Sequence, residues 1–388
     1  VPDGGDAITV RIVERISDVA AADWDACAGG DNPFVSHAFL EALEASRSAV
    51  AQTGWAPRHV VAEDAGNRIV GVVPMYLKSH SYGEYVFDHG WADAYRRAGG
   101  RYYPKLQVSV PFTPVPGPRL LVRPERDAPA VRAAMVEALA AIADRLGVSS
   151  LHATFCSEDD KALFEAAGWL IRHGRQFHWR NGGYRAFDDF LAALSHSRRK
   201  AIRKERREVA AQGLEIDALT GTDIEPRHWD AFFEFYIATS DRKWGSPYLT
   251  RDFFHRLGAA MADRVLLILP RRGTEYVAGA LNLIGRDTLY GRNWGSHGEF
   301  PFLHFEACYY QAIEFAIARG LAKVEAGAQG EHKIQRGYLP VPTYSAHWIA
   351  DSGFRKAVAS FLERETEMVE CEISDLAGHS PFKQQEGS

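Results

Sequence analysis

One order of elements occurs twice along this chain of 388 residues. In the first half, strands at residues 58–62 and 69–78 lead through a loop-rich stretch to a helix at 128–146 and a short strand at 150–155. In the second half, strands at 265–270, 277–284 and 288–294 lead through a loop to a helix at 303–319 and a short strand at 323–327. The helix at 128–146 is read from apolar Val131, Met135, Leu139, Ile142 and Leu146, which recur at the helical period. Pro111, Pro114, Pro116 and Pro118 remove backbone donors, so residues 108–122 belong at a sheet edge, a bulge or a loop. The repetition predicts a tandem duplication of one α+β module with a mixed sheet, spanning 1–185 and 186–388. The length agrees, because single hydrophobic cores stop growing well below this size.

Charge and composition narrow the classes. Lys plus Arg number 45 and Asp plus Glu 50, a net charge of −5, so a generic nucleic-acid binder is excluded while a local basic patch is not. Cys27, Cys156, Cys308 and Cys371 are far apart, with neither zinc spacing nor a disulfide framework, and no metal site is expected. A reducing compartment follows more simply than an oxidising one. The longest aliphatic run is residues 265–269, far short of the roughly 20 residues of a spanning helix. The expected location is the cytoplasm, with peripheral contact at the inner membrane face open; the absent initiator Met also leaves a lost leader open. Aromatic content is 12%, enough to fill the cores and line an apolar cleft as well.

Several motifs carry a family resemblance. Tyr102-Tyr103-Pro104-Lys105-Leu106-Gln107, Pro111-Phe112-Thr113-Pro114-Val115 and Gly117-Pro118-Arg119-Leu120-Leu121 are similar to segments of the FemAB-related N-acyltransferases. So are Leu289-Tyr290-Gly291-Arg292-Asn293-Trp294-Gly295, Leu303-His304-Phe305-Glu306, Cys308-Tyr309-Tyr310-Gln311 and Gly327-Ala328-Gln329-Gly330-Glu331-His332-Lys333. Asn293 stands where the resemblance expects an aromatic residue. The resemblance implies two tandem GNAT-like acyltransferase modules with an intervening basic helical segment, and amide formation on an amine. It leaves the substrates open: Fem transferases use aminoacyl-tRNA and a peptidoglycan precursor, whereas bacterial ceramide synthases join a fatty acyl-CoA to a sphingoid base.

Acyl transfer from a thioester needs a base for the amine proton, N–H donors for the oxyanion and a proton for the thiolate. Gly327 to Lys333 brings carboxylate, imidazole and amine together at a strand end, where open α/β sheets place chemistry. His332 and Glu331 are the candidate catalytic residues, either of them the base; the same run also reads as a charged helix start. Lys333 and Arg336 are candidates for a phosphate or carboxylate. Tyr290, Arg292 and Trp294 share one strand face at period two. His304 and Glu306 open the long helix, with Tyr310 one turn beyond Glu306; Tyr309 and Phe305 read as core. Gly295, Ser296 and Gly298 offer a phosphate loop or an ordinary strand-to-helix turn. Asp88, His89, Tyr102, Tyr103, Lys105 and Gln107 lie in aromatic-rich loops and are placed over the acceptor, or plug the fold. Residues 198–207 hold seven basic side chains, with Arg199 and Arg203 as phosphate candidates; CoA, tRNA, anionic lipid and plain solvent all fit such a face.

The expectation is an acyl-CoA-dependent N-acyltransferase acting on a long-chain lipid amine, with acyl-CoA as co-substrate, no bound cofactor and one donor site in the second module. An aminoacyl-tRNA-dependent ligase and a non-catalytic peptidoglycan- or lipid-binding protein are the alternatives.

Overall fold

A computed structural model describes residues 8–125, 128–243, 247–328 and 330–383, without the side chains at 128, 240–243 and 331. The chain forms two compact units whose segments interleave. Val1–Gly174 joins Thr343–Val369 in the first, and Arg175–Pro342 joins Glu370–Ser388 in the second. The division expected at residue 185 is thus met by crossings at 174–175, 342–343 and 369–370.

The first unit holds two sheets. Thr9–Val13, His59–Glu63, Ile69–Val73 and Leu121–Val122 pair antiparallel in that order. The second runs Trp55–Pro57, Met75–Lys78, Lys105–Val108, Ser150–Cys156 and the last part of Leu339–Ile349. Only Lys105–Val108 with Ser150–Cys156 is parallel in that sheet. The single strand expected at 69–78 is therefore two strands in different sheets, because Pro74 between them has no N–H to continue a ladder. The helix expected at 128–146 is Ala128–Arg145, and its Val131, Met135, Leu139 and Ile142 are buried in the core. The expected helix start near Asn32 also divides. Asn32 caps a short turn, Pro33–Val35, and Ser36 then caps His37–Ala45 by accepting from the Phe39 N–H.

The second unit orders Glu215–Leu219, Val265–Arg272, Ala278–Ile284, Thr288–Ser296, Lys323–Glu325 and the end of Leu170–Arg180. Its parallel pair is Thr288–Ser296 with Lys323–Glu325, joined through the long helix. The register ends at Tyr290 opposite Glu325, while the first strand continues to Ser296. Lys323–Glu325 ends there, and Thr288–Ser296 continues without it. The long helix is interrupted: Leu303–Phe305 and Gln311–Ala318 are α-helical and Glu306–Tyr310 is a π-helix. Such segments recur at functional sites because the extra residue redirects side chains. Among the described residues, no helix is long and apolar enough to cross a membrane, and no cluster of three or more His, Cys, Asp or Glu is arranged to hold a metal.

Candidate active site

The second unit gathers an aromatic basket around His332, from the strand Thr288–Ser296 and the long helix. His332 lies on the short 3-10 helix Glu331–Arg336, which follows Gly330 at φ +95°. A side chain at position 330 would strike the imidazole, with a Cβ only 2.3 Å from it, so glycine is required there on both counts. His332 Nε2 lies 3.0 Å from the Tyr309 hydroxyl. Phe305, His304 and Tyr309 surround the ring at centroid distances of 5.4, 6.1 and 5.9 Å. Trp294 closes the basket by packing edge-on against His304 at 5.4 Å. Burial, then the nearby Arg336 and Lys333 charges, lower the pKa of His332. The imidazole is therefore neutral at pH 7 and able to take a proton. Burial raises the Tyr309 phenol far above its ordinary value, so it stays protonated. Tyr309 was read as core from the sequence. It is buried, yet its hydroxyl reaches the imidazole, and the π-helical segment that turns it there leaves no mark in the hydrophobic period.

The other expected residues are distributed as follows. Lys333 donates to the carbonyls of Ala326, at 2.5 Å, and Gly327, at 3.3 Å, and burial pushes its amine down to about 8. Arg336 stacks on Phe305 at 3.4 Å and donates to the Tyr310 hydroxyl, the His332 carbonyl and Glu205. Both cations thus brace the loop and the helix that carry His332. Tyr310 also donates to Glu205. Glu306 is 3% exposed and receives Arg206 through two hydrogen bonds of 3.1 and 2.9 Å. Tyr290 is buried beside Glu325, and Arg292 lies within electrostatic reach of that carboxylate. The side chain of Glu331 lies outside the described residues, as does Gln329.

Gly295, Ser296 and Gly298, read either as a phosphate loop or as an ordinary strand-to-helix turn, lie at the end of a strand and in the bend that follows it. Gly295 and Ser296 belong to the strand and pair with Gly279 and Ala278. A Cβ on Gly295 would lie 2.0 Å from the Phe235 carbonyl oxygen, so this backbone is packed against a helix and does not open to a ligand. Ser296 Oγ donates to the Gly298 carbonyl and the His297 N–H to Val277. The long helix begins at Leu303 after Phe302 in the left-handed region, φ +63°.

In the first unit, Asp88, Tyr102, Tyr103 and Lys105 do come together, but inside the fold. Lys105 Nζ donates to Asp88 at 2.5 Å, Glu84 at 2.7 Å and Ser81 at 2.9 Å, with the lysine side chain fully buried. Tyr102 donates to Asp88 at 2.6 Å, its hydroxyl lies 3.1 Å from His152 Nε2, and Tyr103 meets Ser81 at 2.7 Å. His152 Nδ1 meets His347 Nδ1 at 2.6 Å. Burial alone would raise the Asp88 carboxyl, but Lys105 and His152 hold it well below the carboxylate range. Burial raises Glu84 to about 7 and lowers Lys78 and His152 to about 7 and about 3. Gln107 donates to Thr154, and His89 stacks on exposed Phe87 at the rim. Glu84, His152 and His347 were missed because their partners are distant in sequence.

Known structures share this architecture at low identity. FemX aligns with a TM-score of 0.55 and 11% identity, over 88% of this chain and 98% of its own. The C-terminal domain of a putative lysylphosphatidylglycerol synthetase from Agrobacterium fabrum aligns at 0.54 and 10%, over 89% and 96%. L-PGS from Bacillus licheniformis aligns at 0.52 and 10%, over 86% and 98%. These likenesses bear on the fold, which is the mixed α/β architecture with a large mixed sheet that was expected for this chain. No curated protein matches the chain at a significant level. The model of the FemAB-like family, described as peptidoglycan biosynthesis/recognition, matches residues 15–384, and the chain belongs to that family.

Proposed function

We propose that this protein is an N-acyltransferase that forms an amide on a primary amine in the aromatic basket of its second unit. The observation that carries the reading is the Tyr309–His332 pair, 3.0 Å apart, its imidazole kept neutral and its phenol kept protonated. With Nε2–H directed at the Tyr309 oxygen, Nδ1 of His332 holds the lone pair. The amine nitrogen attacks the acyl carbon while its proton passes to Nδ1. As the tetrahedral intermediate collapses and the bond to the leaving group breaks, Tyr309 gives its proton to that group. Tyr309 regains one from Nε2, and the imidazole ends neutral. The transfer from Nε2 to Tyr309 crosses the 3.0 Å contact between them, within the reach general acid–base catalysis needs.

The donor in this reading is an acyl-CoA, and the leaving group is its thiolate. The acceptor is a long-chain lipid amine such as a sphingoid base, taken up at the inner face of the membrane. The Trp294, His304 and Phe305 rings supply apolar surface for either chain. A second reading, transfer from aminoacyl-tRNA to a peptidoglycan precursor, draws support from the family description, from the FemX-like fold and from the basic helix His196–Ala210. The experiment is thiol release from a panel of acyl-CoAs with a sphingoid base or its 3-keto form, followed by mass spectrometry of the lipid. Release that needs both substrates, with an N-acyl product, supports the first reading. Release with none of them, but transfer from charged tRNA, replaces it with the second.

A further inference from the structure

Residues 81–88 of the first unit turn the usual polarity of a surface loop inside out. Ser81, Glu84 and Asp88 are buried, while Tyr82 and Phe87 are 59% and 58% exposed. Five large apolar side chains are exposed among the described residues, and this one loop carries two of them. Single exposed apolar residues are ordinary; a loop that buries its charges and displays its rings is not. The loop is fixed from beneath. Lys78 donates to the Tyr82 carbonyl at 3.2 Å, and the buried Lys105 holds Ser81, Glu84 and Asp88. The Phe112 N–H donates to the Gly83 carbonyl at 3.1 Å, and Arg172 to the Phe87 carbonyl at 2.7 Å. A buried charge cluster of this kind gains little over an apolar core of the same volume; what it secures is position.

The two rings belong to a wider face. His89 packs against Tyr82 at 5.5 Å and against Phe87 at 6.2 Å, centroid to centroid. It opens the helix His89–Arg97, which buries Trp91 and Ala92. His89, Asp93 and Arg97 follow one another at i, i+4 and are all exposed, a stripe about 12 Å long. With His neutral, the exposed charges from 79 to 101 are Arg96, Arg97, Arg101 and Asp93, a balance of 3 − 1 = +2 in a chain of −5. Arg96 pairs with Asp93 at 2.8 Å, whereas Arg97 and Arg101 have no ion-pair partner among the described residues. Rings at one end and free cations at the other match the boundary of an anionic bilayer, where rings settle at headgroup depth and cations meet phosphates. A protein partner would have to supply pockets shaped to two separate rings; a fluid bilayer needs none. We propose that this face of the first unit docks onto an anionic lipid bilayer, with Tyr82 and Phe87 entering the interface and Arg97 and Arg101 meeting the headgroups. The docking does not depend on the acyl-transfer reading, since these residues belong to the first unit and the aromatic basket to the second.

The test is flotation of the protein with phosphatidylcholine vesicles, with and without phosphatidylglycerol, and with neither acyl donor nor amine added. Binding is expected with the anionic vesicles and should weaken with salt. Tyr82→Ser/Phe87→Ser should lower vesicle affinity about tenfold or more, because no ring then leaves water. Arg97→Gln and Arg101→Gln should each lower it about fivefold. All four side chains are on the surface, so unchanged thermal midpoints separate lost docking from lost folding. Met368→Ser removes an exposed apolar side chain from the helix Ser352–Gly378 and should bind like the parent. The proposal is overturned if the parent does not float with anionic vesicles, which would leave the rings to a protein partner. It is also overturned if Tyr82→Ser/Phe87→Ser floats like the parent, as it would were the basic helix His196–Ala210 the lipid contact, or if Met368→Ser weakens binding equally. Thiol release is assayed separately on detergent-dispersed amine. Loss of docking with transfer intact, and the converse, separate the failure of one reading from the failure of the other.

Discussion

Each unit holds a tyrosine hydroxyl against a histidine Nε2, at 3.1 Å for Tyr102 and His152 and 3.0 Å for Tyr309 and His332. Their surroundings differ. Tyr102 spends its proton on Asp88, and His152, 2% exposed and pushed down to about 3, is neutral at any physiological pH. His332 is only partly covered, and burial, then the Arg336 and Lys333 charges, lower its pKa. The same pair of side chains is a strut where the site is closed and charge-saturated, and is the pair proposed to carry the proton where burial is only partial. Depth of burial and the charges around a pair, more than its identity, decide whether it can do chemistry.

The largest effect expected from breaking this comparison is at Lys105. Lys105→Met strands the Asp88 and Glu84 carboxylates and is expected to cost about 3–5 kcal/mol of stability, read by urea unfolding. A loss under about 1 kcal/mol would mean that water already solvates the cluster. Next comes His332→Gln, expected to lower kcat by about 100-fold or more with the unfolding midpoint unchanged. In the parent chain, kcat/KM for transfer, calculated on the unprotonated fraction of the amine, should be flat through neutral pH. It should fall as the pH drops through the lowered His332 value, because only the deprotonated ring accepts the amine proton. An acid limb above the ordinary histidine range assigns the base elsewhere. The tyrosines sharpen the contrast further. Tyr102→Phe is expected to cost about 1–3 kcal/mol of stability and leave the turnover of the folded protein intact. Tyr309→Phe is expected to slow turnover by roughly tenfold, at the low end of a lost proton-transfer partner, with little change in stability. The smallest effect is at Arg203→Gln, whose exposed pair with Asp188 should move stability by less than about 0.5 kcal/mol.

The helix at 128–145 was legible from its hydrophobic period and the strand at 265–272 from its unbroken aliphatic run. Leu339–Ile349 was missed because Pro340 and Pro342 argue against a strand, although its later residues pair with Ser150–Cys156. Thr9–Val13 and His89–Arg97 also went unread; both are short and half-polar. At the site, the sequence pointed to His332 through the glycines that precede it. It did not point to Tyr309, because the hydroxyl and the imidazole come from elements separated by a strand and a loop. The His152–His347 contact joins residues 195 positions apart, a pairing no local pattern encodes.

The π-helical turn at Glu306–Tyr310 acts as a phase adapter. Ahead of it, His304 and Phe305 face the imidazole; after it, Ala312, Ile313, Ala316 and Ile317 face the core. An α-helix advances about 100° per residue, so one extra residue is what lets a single rod serve two faces out of register with each other. Deleting one residue here would restore a uniform helix and leave only one of those faces correctly aimed. The length of this turn is therefore itself a constraint on the chain, one that tolerates substitution more readily than insertion or deletion.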